Sequence, residues 1–258
     1  MTEELKNGIN LQVDGEIAFL TIHRPQAHNA LDRQSADDFL DAVQTIDTND
    51  AVQAVVLTGT GGRFCAGADL KEMADTDADY HPWAGADGPL AKPCSKPVIA
   101  AVEGHAVAGG LGVALWADLR VASETAVFGV FCRRFGVPMS DGTPTRLPAV
   151  VGRARALDML LTGRPVKAEE ALRIGLADRL VGAGEALDVA TALARDIASF
   201  PPLAMRADRA AAWAAFDTDE ATRLIEEDRG AQAAKNNEAA AGASRFKDGE
   251  GRGGKFSR

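Results

Sequence analysis

The sequence predicts an α/β protein. Three observations carry that expectation. Two short apolar runs of the buried-strand kind, residues 54–60 (AVVLTGT) and 96–104 (KPVIAAVEG), each lead into a glycine-rich turn. Each turn then opens onto a helical pattern. A third run of the same kind, LRVAS at 119–123, follows the second of those helices, so strands and helices alternate through the first half of the chain. With 258 residues, of which 46% are apolar, the chain can bury a sizeable core.

Taken in order, residues 11–22 (LQVDGEIAFLTI) alternate apolar and polar around Asp-Gly, the pattern of a β-hairpin. Phe39, Leu40, Val43 and Ile46 recur at helical spacing behind Asp32, a suitable N-cap. The strand at 54–60 follows, then RFCAGADLKEM, where small residues give way to a short charged helix. Residues 80–96 form a loop rich in Gly, Pro and Ala. AVAGGLGVALWAD reads as a glycine turn opening an apolar helix. After Leu147 the chain turns helical. RARALDMLLTG and KAEEALRIG end on Gly163 and Gly175, both suited to close a helix, and the short strand DRLV comes next. Further helices are expected at about 185–199, 203–216 and 218–240. The glycine-rich basic tail, KDGEGRGGKFSR, is expected to be flexible.

Composition excludes several classes. The net charge is -9 and there is no basic run, so no nucleic-acid partner is expected. No apolar run approaches the roughly 20 residues that span a bilayer, so no membrane partner is expected either. MTEELKNGIN is too polar for a signal peptide. Cys65, Cys94 and Cys132 are odd in number and lack CxxC spacing, which fits a reducing, cytoplasmic setting. His23 and His28 have no carboxylate or thiol nearby in sequence, so no metal site is expected.

The two glycine clusters, GTGGRFCAGAD and GHAVAGGLG, raise the question of function. A dinucleotide fingerprint fails, since Phe64 stands where the third glycine belongs after Gly59 and Gly61. A phosphate loop of the GxxxxGK[ST] type and a GxSxG elbow are also absent. Either the clusters are tight turns between strand and helix, or their small residues admit a ligand to the backbone. In the second case two N–H groups, one from each turn, would meet on one oxygen and form an oxyanion hole.

HRPQAHNAL, GRFCAGADLKEM, KPVIAAVEGHAVAGGLGVALWADLRVAS, VFGVFCRRFGVP, RLPAVVG and LTGRPVKAEEALRIGLADRLV together resemble the crotonase superfamily, the enoyl-CoA hydratase/isomerase group. The resemblance runs in order over about residues 9–181, and the helical C-terminus fits it as well. It implies a spiral of ββα units over residues 1–195 that binds acyl-CoA. Residues 196–258 would then form a helical trimerisation region with a flexible basic tail. It also implies a homotrimer or hexamer, and coenzyme A as part of the substrate rather than a tightly bound cofactor.

Carried over by position, the oxyanion pair falls on the Ala68 and Gly109 N–H groups. Ala66, Asp69 and Leu70 would line the adenine side. Arg24 and Lys71 would meet phosphates, although Lys71 fits a solvated helix charge equally well. The family's two hydratase glutamates fall on Gly112 and Cys132. Neither is a carboxylate, and Cys132 would need activation by Arg133 or Arg134.

Asp141, in PMSDGTPTRLP, is the remaining acid/base candidate, against its reading as an ordinary Asp-Gly turn residue. The expectation is therefore a hydratase/isomerase-type enzyme, a lyase or isomerase, in which two-glutamate hydration is doubtful. The alternatives are an isomerase or other lyase or hydrolase reaction through Asp141, a non-catalytic acyl-CoA binder, and, more weakly, a nucleotide-binding α/β protein. Glu103 and His105 read as structural. Trp83, Trp116 and Trp213 read as core or interface residues, and Leu224 and Ile225 suit a core or a subunit interface.

Overall fold

The opening hairpin sets the direction of the main sheet. Strands β1 (Gly8–Asp14) and β2 (Ile17–His23) pair antiparallel, with Asp14 opposite Ile17, so the loop is Gly15-Glu16 and Gly15 takes φ +59°. That positive φ is what a two-residue hairpin loop asks of its first residue, and glycine adopts it without strain. The computed structural model describes residues 5–75, 83, 85, 88–200, 202–214 and 240–249.

From β2 the sheet grows by parallel neighbours: β3 (Ala54–Gly59), β4 (Val98–Val102), β6 (Leu119–Ser123) and β9 (Arg179–Val181), in the order β1-β2-β3-β4-β6-β9. Strands β5 (His105–Val107), β7 (Val127–Gly129) and β8 (Val166–Lys167) form a second, small sheet.

The central parallel strands β3, β4 and β6 are buried on both faces, as strands of a parallel sheet usually are. Ala54 and Val56 of β3, with Ile99, Ala101 and Val121, face helix α7 (Ala186–Ala198) through Ala186, Ala190, Leu193 and Ala194. The alternate residues Val55, Leu57, Val98, Ala100 and Val102 face a larger core. That core holds Phe39, Val43 and Ile46 of helix α1 (Arg33–Thr48), and Val113 and Trp116 of helix α3 (Gly109–Trp116). Phe39 and Trp116 meet edge to face at 5.4 Å, a geometry worth about 0.5–1.5 kcal/mol beyond burial. The capping residue is the one expected: Asp32 accepts from the Ser35 N–H at 2.8 Å.

Helix α2 (Leu70–Asp75) is the short charged helix after RFCAGAD. Helices α5 (Arg153–Thr162) and α6 (Ala168–Ile174) stop at Gly163 and Gly175, which take φ +60° and +78°. Helix α8 is Pro202–Ala214.

Three expectations need correction. Helix α4 (Thr143–Val151) begins before Leu147, because Pro144 fits a first helical turn, and it carries Pro148 within it. A division at residue 195 would cut through α7, which packs on β2, β3, β4 and β6 and so belongs to the core. The last described helix, α9, is Ala240–Lys247; it starts where the expected 218–240 helix ends and takes in the first residue of the expected tail. The rest of 218–240, most of that tail, and Leu224 and Ile225 lie outside the described residues, as does part of the 80–96 loop.

Helix α9 folds back onto α2 and the 3-10 turn Phe131–Phe135. Phe246 meets Phe135 edge to face at 5.2 Å, Lys247 pairs with Asp75, and Ala243 is fully buried. Gly242 lies against the Phe135 carbonyl, where no side chain would fit.

Candidate active site

The first glycine cluster does not run straight from β3 into α2. Residues 65–69 are stitched between two other segments. The Cys65 N–H donates to the His105 carbonyl (2.9 Å), and the Val107 N–H donates to the Cys65 carbonyl (3.1 Å). On the other side the Leu31 N–H donates to the Gly67 carbonyl (2.7 Å), and the Asp69 N–H donates to the Leu31 carbonyl (2.9 Å). These bonds use the amides on either side of Ala68. Among the described residues the Ala68 N–H itself donates to nothing.

The second cluster meets the first at this point. Gly109 opens α3, where a first-turn N–H has no partner within the helix. Its N–H also donates to nothing among the described residues. A Cβ on Gly67 would lie 2.5 Å from the Gly109 nitrogen, and a Cβ on Gly109 would lie 3.5 Å from the Ala68 nitrogen. The two turns are in backbone contact, and only glycines permit it.

Ala108, just before, takes φ +50° and ψ -129°, a region an alanine rarely visits and that costs about 1–3 kcal/mol. Its N–H bonds the Gly129 carbonyl and its carbonyl accepts from Leu111, both at 2.9 Å, and these bonds hold the strained turn. Two unspent N–H groups side by side, one of them at the positive end of a helix, can together hold a single anionic oxygen.

Gly112 lies three residues beyond Gly109, on the same helix face at about 5–6 Å. It presents no side chain, but its space is not empty: a Cβ there would lie 2.5 Å from Asp141 Cγ and 2.7 Å from Oδ2. Asp141 is 2% exposed and is the only buried carboxyl among the described residues. Burial pushes its pKa up to about 6, against the Thr143 N–H (2.9 Å) and the Arg146 guanidinium, which favour the charged form. Asp141 therefore sits just ahead of α4 and reaches across to α3. Its bond from the Thr143 N–H is that of a turn aspartate, and its carboxyl also fills the space beside Gly112.

Cys132 is a different matter. Its thiol is buried beside Met139, and burial together with the Asp141 charge pushes it up to about 12. The Arg133 charge is outweighed, and the Arg134 guanidinium stacks 4.2 Å over the Phe131 ring and donates to the Gly163 carbonyl. Cys132 is a neutral thiol at neutral pH, not a base.

Arg24 also differs from expectation. It is buried, pairs with Asp32 (2.7 Å) and Asp69 (3.3 Å), and donates to the Ala30 carbonyl, so it clasps the segment that carries Ala68. A phosphate would compete with these partners for the guanidinium. Lys71 is exposed, and its N–H donates to Asp69 Oδ1 (3.1 Å). Ala66, Asp69 and Leu70 are half-buried around the same turn.

Glu103 is structural as read: it accepts from the Ala186 N–H at the start of α7 (3.1 Å) and meets the Thr125 hydroxyl (3.3 Å). Trp83 and Trp116 are core residues, and Trp213 donates to Asp118 (2.8 Å). Among the described residues no three His, Cys, Asp or Glu side chains cluster as metal ligands would, and no helix is long and apolar enough to cross a membrane.

A six-stranded mixed sheet covered by helices, with a second small sheet and two glycine-rich turns in contact, is an α/β scaffold that comparison with known proteins identifies. Residues 12–252 match the family model of enoyl-CoA hydratase/isomerase. The chain is 39% identical over 222 residues to a probable enoyl-CoA hydratase of Mycobacterium leprae, covering 84% of this chain and 86% of that protein. It is 36% identical over 208 residues to the (E)-benzylidenesuccinyl-CoA hydratase of Thauera aromatica, covering 79% and 81%. A crystal structure of carnitinyl-CoA hydratase from Mycobacterium avium superposes with a TM-score of 0.86 at 34% identity, covering 95% of this chain and 97% of that one. The chain belongs to the enoyl-CoA hydratase/isomerase family, and it is an enzyme of the hydratase/isomerase type with the crotonase fold.

Proposed function

We propose that this enzyme acts on an acyl-CoA thioester, holding the oxyanion of its enolate between the Ala68 and Gly109 N–H groups and moving protons with Asp141. The observation that carries the reading is the contact between the two turns, which leaves two adjacent N–H groups with no partner among the described residues. The relatives named above act, by their names, on CoA thioesters. Removing a proton next to a thioester carbonyl places negative charge on its oxygen, and one fixed donor at such an oxygen is worth roughly 3–4 kcal/mol of barrier.

A carboxyl at about 6 is suited to take that proton and return it near neutral pH. It lies against Gly112, one turn of α3 beyond Gly109, which would put it beside the carbons next to the carbonyl. Water addition through two glutamates is not the favoured route, since the two positions hold Gly112 and a neutral Cys132 thiol. Proton transfer by one carboxyl, in an isomerisation or another lyase or hydrolase step, fits the site better.

Ala66, Asp69 and Leu70 would border the adenine of coenzyme A, which enters with the substrate, and exposed Lys71 would meet its phosphates. The enzyme would assemble as a homotrimer or hexamer, which sedimentation reads directly. The test of the main reading is a panel of enoyl-CoA and saturated acyl-CoA thioesters, assayed with wild type and Asp141→Asn. Turnover in the wild type and its loss in the variant are expected. Full activity in the variant would remove Asp141 from the mechanism.

A further inference from the structure

We infer that Gly112 is a positioning residue: it cedes its own side-chain volume to Asp141, so that positions 112 and 141 are mutually exclusive seats for one carboxyl. The inference rests on the reading of Asp141 as the proton carrier. A Cβ at Gly112 would lie 2.5 Å from Asp141 Cγ, 2.7 Å from Oδ2 and 2.9 Å from Cβ, all well inside van der Waals contact.

Neither side can give way cheaply. Asp141 is 2% exposed, with its carboxyl held by the Thr143 N–H (2.9 Å) and its carbonyl facing Arg146. Helix α3 is seated as firmly, because Leu111, Val113 and Ala114 are fully buried and Gly110 lies against the Cys65 carbonyl.

The distance also matches a different side chain. In a glutamate, two carbon–carbon bonds of about 1.5 Å at a tetrahedral angle put the carboxyl carbon about 2.5 Å from Cβ. Asp141 Cγ stands at that distance from the Cβ that Gly112 lacks. A carboxyl delivered from the start of α4 thus occupies the shell that a glutamate on α3 would reach. The glycine is what makes the delivery possible. A glycine kept only for helix packing would predict a loss of stability on enlargement, with no change in the titration of the reaction.

The titratable and charged groups facing Asp141 are Cys65 and Cys132, both thiols held up at about 12 by burial, and Arg146. Both thiols keep their protons near neutral pH, so a moved midpoint would report the carboxyl itself. The experiment follows exchange of the protons beside the carbonyl of butyryl-CoA in D2O by mass spectrometry, across pH. It compares wild type, Gly112→Ala, Asp141→Gly and the double variant Gly112→Glu/Asp141→Gly, with thermal unfolding of each.

Asp141→Gly should lose about 100-fold or more. Gly112→Ala should lose about tenfold or more and shift the pH midpoint. The double variant should recover about tenfold over Asp141→Gly, with a midpoint of its own. A Gly112→Ala enzyme with the wild-type rate and midpoint overturns the inference, and so does a folded double variant no better than Asp141→Gly. Should the double variant not fold, Gly112→Ala decides alone. A wild type that exchanges nothing takes down the acyl-CoA reading, and this inference with it.

Discussion

The two halves of the site are built from different materials. The half at Ala68 and Gly109 is backbone: two N–H groups brought together by glycines, by a strained Ala108, by a hydrogen bond from the Leu31 N–H and by hydrogen bonds to the His105 and Gly129 carbonyls. The half at Asp141 is a single side chain that crosses from the start of α4 into space left by Gly112 on α3. The first half can be altered only by changing the path of the chain. The second can be moved, removed or rebuilt by exchanging one or two side chains. On the proposed function, an enzyme made this way would keep its affinity for one kind of oxygen while its acid/base chemistry varied.

Substitutions that touch one half and spare the other sharpen this contrast. The largest effect is expected from Asp141→Asn, which leaves the backbone donors in place and should lower the rate of proton transfer by about 10²–10⁴-fold, measured by isotope exchange. Ala68→Pro removes one N–H that no described residue uses, and should lower kcat by about 10²–10³-fold with the carboxyl untouched. If the two variants changed the pH dependence in the same way, the separation of the halves would be broken.

Next is the pH profile. A base with a pKa of about 6 loses activity tenfold per unit below that value and reaches a plateau above it. The same group affects stability. Its pKa is higher folded than unfolded, so the stability it contributes is complete below about pH 4 and is lost as the pH rises through about 6. At pH 8, Asp141→Asn should therefore unfold at a higher temperature than the wild type, by the equivalent of at most about 3 kcal/mol. At pH 4 that advantage should vanish. The smallest effect on chemistry belongs to Cys132→Ala. A thiol that stays protonated at neutral pH neither takes up nor releases a proton there, so both the rate and the pH midpoint should stay in place.

The same division governs what was legible in the sequence. The backbone half could be read in outline, because glycine clusters after buried strands are a local signal; the positions Ala68 and Gly109 come from the resemblance to the crotonase superfamily. Local signals also served for the Gly15 hairpin, for the Asp32 cap of α1, and for the glycines that end α5 and α6.

What depends on distant contacts was not legible. Nothing near Gly112 in sequence shows that Asp141 fills its space 29 residues later, or that Arg24 is occupied by Asp32 and Asp69. Strands β5, β7 and β8 have three residues or fewer, too short for any alternation to stand out. The early start of α4 was masked by its two prolines, and the docking of α9 rests on Gly242, Ala243 and Phe246 meeting a turn more than 100 residues upstream.

The central claim, that Ala68 and Gly109 together grip a thioester oxygen independently of the acid/base residue, has a direct measurement. The carbonyl stretch of an enoyl-CoA thioester labelled with carbon-13 at the carbonyl can be followed by infrared difference spectroscopy as it binds. A shift to lower frequency is expected in the wild type and in Asp141→Asn, with little or none in Ala68→Pro. A bound carbonyl that absorbs in the wild type where the free thioester does would contradict the account.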